Sequence, residues 1–197
     1  SFISKTAFDK NFYLNKMFIE KDINYNIFSL FFIFFPRDTH EFYAEMRKNT
    51  SDMNFIKKLV ETLKGRDSKV ACSVLESIFP TASRFLKMEI LKIMENFSNY
   101  NENFIIFILS QAELSIKRQA MNIVIKNNSL RQKTAQILLS IPNSFGMKNK
   151  LINENINMIG EFNLTEARAD LEKISRLKVF WKRSLRDSAA RVLSRWK

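Results

Sequence analysis

The run GEFNLTEARADLEKISRLKVFWKRSLRDSAARVLSRW, residues 160–196, decides how the chain is read. Its closing portion is strongly basic. Yet Leu185, Ala189, Val192, Leu193 and Trp196 recur at i, i+4, i+7, i+8 and i+11, which is one apolar stripe on a helix. Lys182, Arg183, Arg186 and Arg191 fall largely off that stripe. A solvated basic tail has no use for such spacing, whereas a helix packed on a neighbour requires it. The segment therefore reads as the last packed helix of an array, with its charge left on the outer side.

The stripe recurs upstream. Superposing Leu185 on Leu151 and then on Ile116 gives steps of 34 and 35 residues, and a weaker match at Phe85 adds a step of 31. Ala120 and Val124, Ile156 and Ile159, and Ala189 and Leu193 occupy similar offsets. Between these helices lie SLRQKTAQILLSI and LTEARADLEKIS. A period of this size, built from two helices, means that each unit leaves an apolar face uncovered until the next stacks on it.

Working outward, 3.6-residue periodicity predicts helices over residues 37–49, 52–64, 67–79, 82–97, 101–111, 113–127, 129–141, 147–161, 164–176 and 179–196. The longest apolar run, IFSLFFIFF at residues 27–35, is too short to cross a bilayer, which takes about 20 residues. It reads as a buried helix ended by Pro36. Gly65 ends LVETLK, Pro80 ends LESIF with Thr81 as an expected N-cap, and IPNSFG interrupts residues 141–146. Asn163 is the expected N-cap of the following helix, with Glu166 as its capping-box partner. Three Gly and three Pro in 197 residues are too few for the turns of a sheet protein, so the class is all-α.

Residues 160–196 resemble a HEAT repeat: a Gly-ended helix, a short turn, an Ala/Leu helix, then LRDSAARVL as the second helix. SIKRQAMNIV (115–124) and NFIKKLVETLKGRDSKVACSVLESI (54–78) are similar but weaker, and the helix parity around 67–97 suggests an irregular or capping unit. Tetratricopeptide repeats share the period, but their Trp/Gly/Tyr pattern is missing from these helices. The resemblance implies an α-solenoid: a right-handed superhelix of four or five antiparallel helix pairs over residues 37–197, preceded by a Phe-rich capping segment at 1–36. It also implies a protein partner, and an ion pair between Arg186 and an acid such as Asp170. Some HEAT-like proteins are DNA glycosylases that set aromatic side chains and an acid in a basic channel; Trp181 with Arg183 and Asp187 is the nearest approach here.

Little else points to chemistry. Cys72 is the only cysteine and His40 the only histidine, so neither a cysteine-based zinc cluster nor a typical histidine set can form. Cys72 in VACSVL reads as a small buried thiol, and His40 in DTHEFYAEM as part of a solvated first turn. Gly65, Gly146 and Gly160 are too far apart for a phosphate loop or dinucleotide fingerprint, and GxSxG does not occur. The expectation is a non-enzymatic scaffold or adaptor with no cofactor and no bound metal.

Charge is unevenly spread. Residues 1–98 hold 15 Lys/Arg and 12 Asp/Glu, net +3; residues 99–197 hold 17 and 8, net +9. The expected partner-binding residues are Lys117, Arg118, Arg131, Lys133, Lys182, Arg183 and Arg186. Such a face suits an acidic protein surface, with nucleic acid or anionic lipid headgroups as alternatives. Abundant Phe, Ile, Asn and Lys also fit an AT-rich coding bias, which raises basic charge without selection for binding. No secretory signal pattern is visible after the first residue, Ser1, which suggests a partial or processed chain. The expected location is the cytoplasm, with a soluble domain of an exported or membrane-anchored protein as the alternative.

Overall fold

Short oxygen-bearing side chains start many of the helices. Asp9, Asn24, Asp52, Ser68, Ser83 and Asn127 each sit in extended backbone before a helix and accept a hydrogen bond from a first-turn N–H. The computed structural model describes residues 9–111, 113–140 and 147–196. Every regular element among them is helical, as expected. In order these are α1 (Lys10–Leu14, widening into a looser turn at Asn15–Ile19), α2 (Tyr25–Phe34), α3 (Thr39–Lys48), α4 (Met53–Leu63), α5 (Lys69–Ile78) and α6 (Arg84–Met94). There follow α7 (Glu102–Gln111), α8 (Leu114–Val124), α9 (Asn128–Leu139), α10 (Met147–Glu161), α11 (Arg168–Ser175) and α12 (Arg183–Arg195).

Three local expectations are corrected. Thr81 does not cap α6: its hydroxyl donates to the Ile78 carbonyl at 3.1 Å, and Ser83 takes the cap. Asn163 closes α10 instead of opening α11. It adopts a left-handed φ of 50°, and the Leu164 N–H reaches back to the Ile159 carbonyl at 2.9 Å, the wrap that ends a helix past its last turn. A tight turn at Thr165–Ala167 then leads into α11, and the Glu166 carboxylate binds Arg131, not the chain start of the helix. Gly65 has the left-handed φ of 74° expected after α4. The IPNSFG segment lies outside the described residues.

The chain divides into two compact units, residues 1–100 and 101–197. In the first, the Phe-rich run supplies the core. Phe42 on α3 is 1% exposed, and the rings of Phe18, Phe28, Phe31 and Phe32 lie 5.0–5.9 Å from it in tilted or edge-on contacts. The expected boundary at residues 36 and 37 thus falls inside one aromatic cluster. Elsewhere in this unit the Asp67 carboxylate accepts from the backbone N–H groups of Ser98 and Asn99 at 2.8 and 3.1 Å, and from both side chains. The Ser98 hydroxyl, with the other three donors, draws the Asp67 pKa down to about 2.

In the second unit α7 packs on α8 and α9, α9 on α10, and α12 on both α10 and α11. Ile156 and Ile159 of α10 meet the stripe of α12, whose Leu185, Ala189 and Val192 are buried as the periodicity demands. Gly160 sets how closely those two helices approach: a Cβ at this position would lie 2.7 Å from Val192 Cγ2 and 3.2 Å from Cγ1. On the far side of α10, Asn155 is 2% exposed, and its side-chain amide donates to the Leu138 carbonyl at 2.9 Å, satisfying a carbonyl in the last turn of α9.

Two consequences are measurable. Gly160→Ala gains about 1 kcal/mol of helix propensity but incurs an overpacking cost of about 1–3 kcal/mol, so a net loss of about 1 kcal/mol is expected in denaturant unfolding. A double-mutant cycle with Val192→Ala should return favourable coupling of about 1 kcal/mol. For Asp67, the folded pKa lies below the ordinary 3.8, so its contribution is present above that value and is lost as pH falls towards about 2. Thermal melts across that window should fall more steeply for the wild type than for Asp67→Asn.

Candidate functional site

A basic face can recognise a partner only with cations that the fold has not already used. Four of the seven expected contact residues are engaged inside the second unit. Lys117 on α8 is 3% exposed; burial pushes its pKa down, with Glu154 opposing that shift, and its side chain is not presented to solvent. The neighbouring Arg118 places Nε 3.2 Å from Glu161 Oε2 on α10.

Arg131 and Lys133 on α9 are tied more firmly. The Arg131 guanidinium donates to both oxygens of Glu166, at 2.5 and 3.0 Å, and to the Asn163 carbonyl at 3.1 Å. This fork lowers the pKa of Glu166 and fixes the α10–α11 connection against α9. Lys133 donates to Glu102 Oε2 at 2.6 Å and depresses that carboxyl in turn, linking α9 to the first turn of α7. The two side chains point to neighbouring helices as fasteners.

The remaining three behave differently. Arg183 and Arg186 both face Asp187, at 3.7 and 3.6 Å, but Asp187 is over half exposed and the Arg183 side chain is 73% exposed. The expected pairing of Arg186 with Asp170 is not formed: Asp170 accepts from Lys173 at 2.9 Å. Lys182 has no acidic partner among the described residues, and neither do Arg176 and Lys178, which the expected set omits. These cations bracket Phe180 and Trp181, 86% and 54% exposed.

The periodicity places residues 179–182 inside the last helix, but the helix begins at Arg183, and Phe180–Lys182 forms a separate tight turn. That shift places the two aromatics ahead of the helix that carries the apolar stripe. The turn is held from α10: the Asn149 side-chain amide donates to the Trp181 carbonyl at 3.2 Å, and Asn153 donates to the Ser184 hydroxyl. The signal for it is the string RLKVFWKR, residues 176–183, in which an aromatic pair has cations on both sides and no acid. Trp196, in contrast, is half-buried against the helix array.

Catalytic alternatives find little to build on. His40 is largely exposed; its Nδ1 donates to the Arg37 carbonyl at 3.3 Å, while Glu41 beside it receives Lys10 at 2.7 Å. Cys72 is buried, and desolvation pushes its thiol up to about 12, which suppresses the thiolate a nucleophile needs. Among the described residues no three His, Cys, Asp or Glu side chains gather where they could hold a metal ion, and no helix is long and apolar enough to cross a membrane. No protein-family model matches the chain, and neither the curated proteins nor the solved structures give a match.

The division between engaged and unengaged cations is testable by stability. Arg131→Ala removes a half-buried two-pronged pair and should cost about 1–3 kcal/mol in urea unfolding. Lys178→Ala and Lys182→Ala should stay within about 0.5 kcal/mol of wild type.

Proposed function

We propose that this chain is a HEAT-like α-solenoid acting as a non-enzymatic interaction scaffold, with recognition concentrated at the basic C-terminal end. Support for stacked repeats comes from polar ties at a nearly constant sequence separation. Lys133 to Glu102 spans 31 residues, Arg131 to Asn163 spans 32, Arg131 to Glu166 spans 35, Asn149 to Trp181 spans 32 and Asn153 to Ser184 spans 31. About one repeat length separates the partners in these five ties, as expected when a helix lies beside its counterpart in the next pair, while Asn127 and Ser129 reach Glu102 across 25 and 27 residues and Asn155 reaches Leu138 across 17. Four of these separations fall two to four residues short of the 34- and 35-residue steps of the apolar stripe, and the fifth equals the longer step.

The observation that carries the functional reading is where charge remains available. Glu102, Glu161, Glu166 and Asp170 are each matched by a cation, and the surplus collects at Arg176, Lys178, Lys182, Arg183 and Arg186 with Asp187 alone opposing it. The reading replaces a face running over all seven expected residues by a shorter one at the last helix pair. An acidic protein surface is the partner class that HEAT-like arrays favour.

The test is capture by the immobilised full chain at low and high salt, set against the double variant Lys182→Glu with Arg183→Glu. Salt-sensitive capture that the double variant loses supports recognition through this end. Capture of the same proteins by both forms rejects it. Duplex DNA is titrated in parallel: a steep fall in affinity with salt, abolished by the double variant, would favour nucleic acid instead.

A further inference from the structure

We propose that the Phe180–Lys182 turn is a docking tip for anionic lipid surfaces, with Phe180 and Trp181 entering the headgroup layer and Arg176, Lys178, Lys182 and Arg183 meeting lipid phosphates. The proposal rests on the reading of the C-terminal basic end as the recognition face and gives that end a lipid ligand beside the protein partner. Its starting point is an energetic oddity. Phe180 leaves 86% of its surface in water and Trp181 54%, side by side, in a unit whose other exposed large apolar residues, Phe107, Ile125 and Leu151, are far apart in the sequence. Large adjacent apolar rings held in solvent mark a surface that something covers.

The turn is also built to keep them there. Asn149 and Asn153 on α10 grip the backbone carbonyl of Trp181 and the hydroxyl of Ser184, so the aromatic pair stands on a braced support. The helix behind it is anchored through Leu185, Ala189 and Val192. Ring exposure is therefore a property of the fold at this point, since the chain enters α12 only at Arg183.

Charge and shape select the ligand. Four cations within residues 176–183 have no acid among them, which suits a dense array of phosphates. Aromatic rings flanked by Lys and Arg are the composition that settles at a membrane interface, where the rings lie at headgroup level and the cations stay in the aqueous phosphate plane. A single-stranded nucleic acid needs ring faces spaced along a groove that tracks its backbone. Here both rings sit on one tight turn. A lipid headgroup layer deforms to accept two protruding rings without a matched cavity.

The experiment is co-sedimentation of the full chain with phosphatidylcholine vesicles, alone or with roughly one third phosphatidylserine. Binding is expected only with the anionic lipid, weakening as salt rises, and accompanied by a blue shift of Trp fluorescence that persists in Trp196→Phe and is lost in Trp181→Phe. Replacing Phe180 and Trp181 by Ser should lower partitioning about tenfold or more. Lys178→Gln and Lys182→Gln should each lower it about fivefold. Circular dichroism melts check that every variant is folded. Lys178, Phe180 and Trp181 are exposed and Lys182 partly so, and cooperative melts are expected for every variant.

Failure of the wild type to pellet with anionic vesicles overturns the proposal. So does pelleting that the aromatic variant retains. Binding of an oligothymidylate with the same aromatic and cation dependence, in the absence of vesicle binding, assigns the tip to nucleic acid and also overturns it. None of these outcomes decides the broader reading, which the salt-dependent capture comparison with Lys182→Glu and Arg183→Glu addresses separately.

Discussion

The close contact of α10 with α12 is the constraint on which the C-terminal unit depends. At Gly160 the missing side chain lets Val192 sit where a Cβ would stand, within 2.7 Å of its Cγ2. This brings Ile156 and Ile159 against the stripe of Leu185, Ala189 and Val192. Helices with so few charged residues on their inner faces gain most of their stability from such burial, because isolated helices of this length are marginal in water. The approach has a second effect. It brings Asn149 and Asn153, on the same helix as Gly160, into reach of the turn that carries Phe180 and Trp181. Packing at one end of α10 and presentation at the other are thus joined through a single rigid element.

Electrostatics then sorts the cations. An ion pair that bridges two helices, such as Arg131 with Glu166, holds its partners partly out of water, so the guanidinium is both geometrically fixed and electrostatically satisfied. Lys117 goes further and has its stem buried, leaving little for any external ligand. Once Glu102, Glu161 and Glu166 have been used in this way, the cations near the chain end have few acids left to meet. The excess of positive charge at the last helix pair is a consequence of where the acids were spent.

Helix content and register were legible in the residues because they follow from local chemistry. The 3.6-residue stripe of α12 and the left-handed Gly65 are decided within a few neighbours, and both are as the sequence implies. What was not legible depended on partners distant in the chain. Lys117 looks like any surface lysine until the fold buries it, and Arg131 looks free until Glu166, 35 residues on, receives it. Asn163 illustrates a subtler limit: Asn is equally at home as an N-cap or in the left-handed residue that ends a helix, so its side-chain chemistry does not say which helix it serves. The aromatic turn was misassigned for a related reason. Phe and Trp continue a helical pattern in the string VFWKRSL, yet only the first residues after Lys182 are wound into α12.

A coding bias towards Lys and Phe explains composition but not arrangement. Under that account cations and aromatics would scatter over the surface with acids interspersed, and exposed rings would carry no relation to the unpaired charges. At the Phe180–Lys182 turn they coincide: Phe180, the most exposed large apolar residue among the described residues, sits between Lys178 and Lys182, and neither lysine has an acidic partner among the described residues. A ring held in water and a cation held away from acids are each unfavourable or neutral for folding. The proposed lipid surface, anionic in its headgroups and apolar beneath them, is a ligand to which both features are suited.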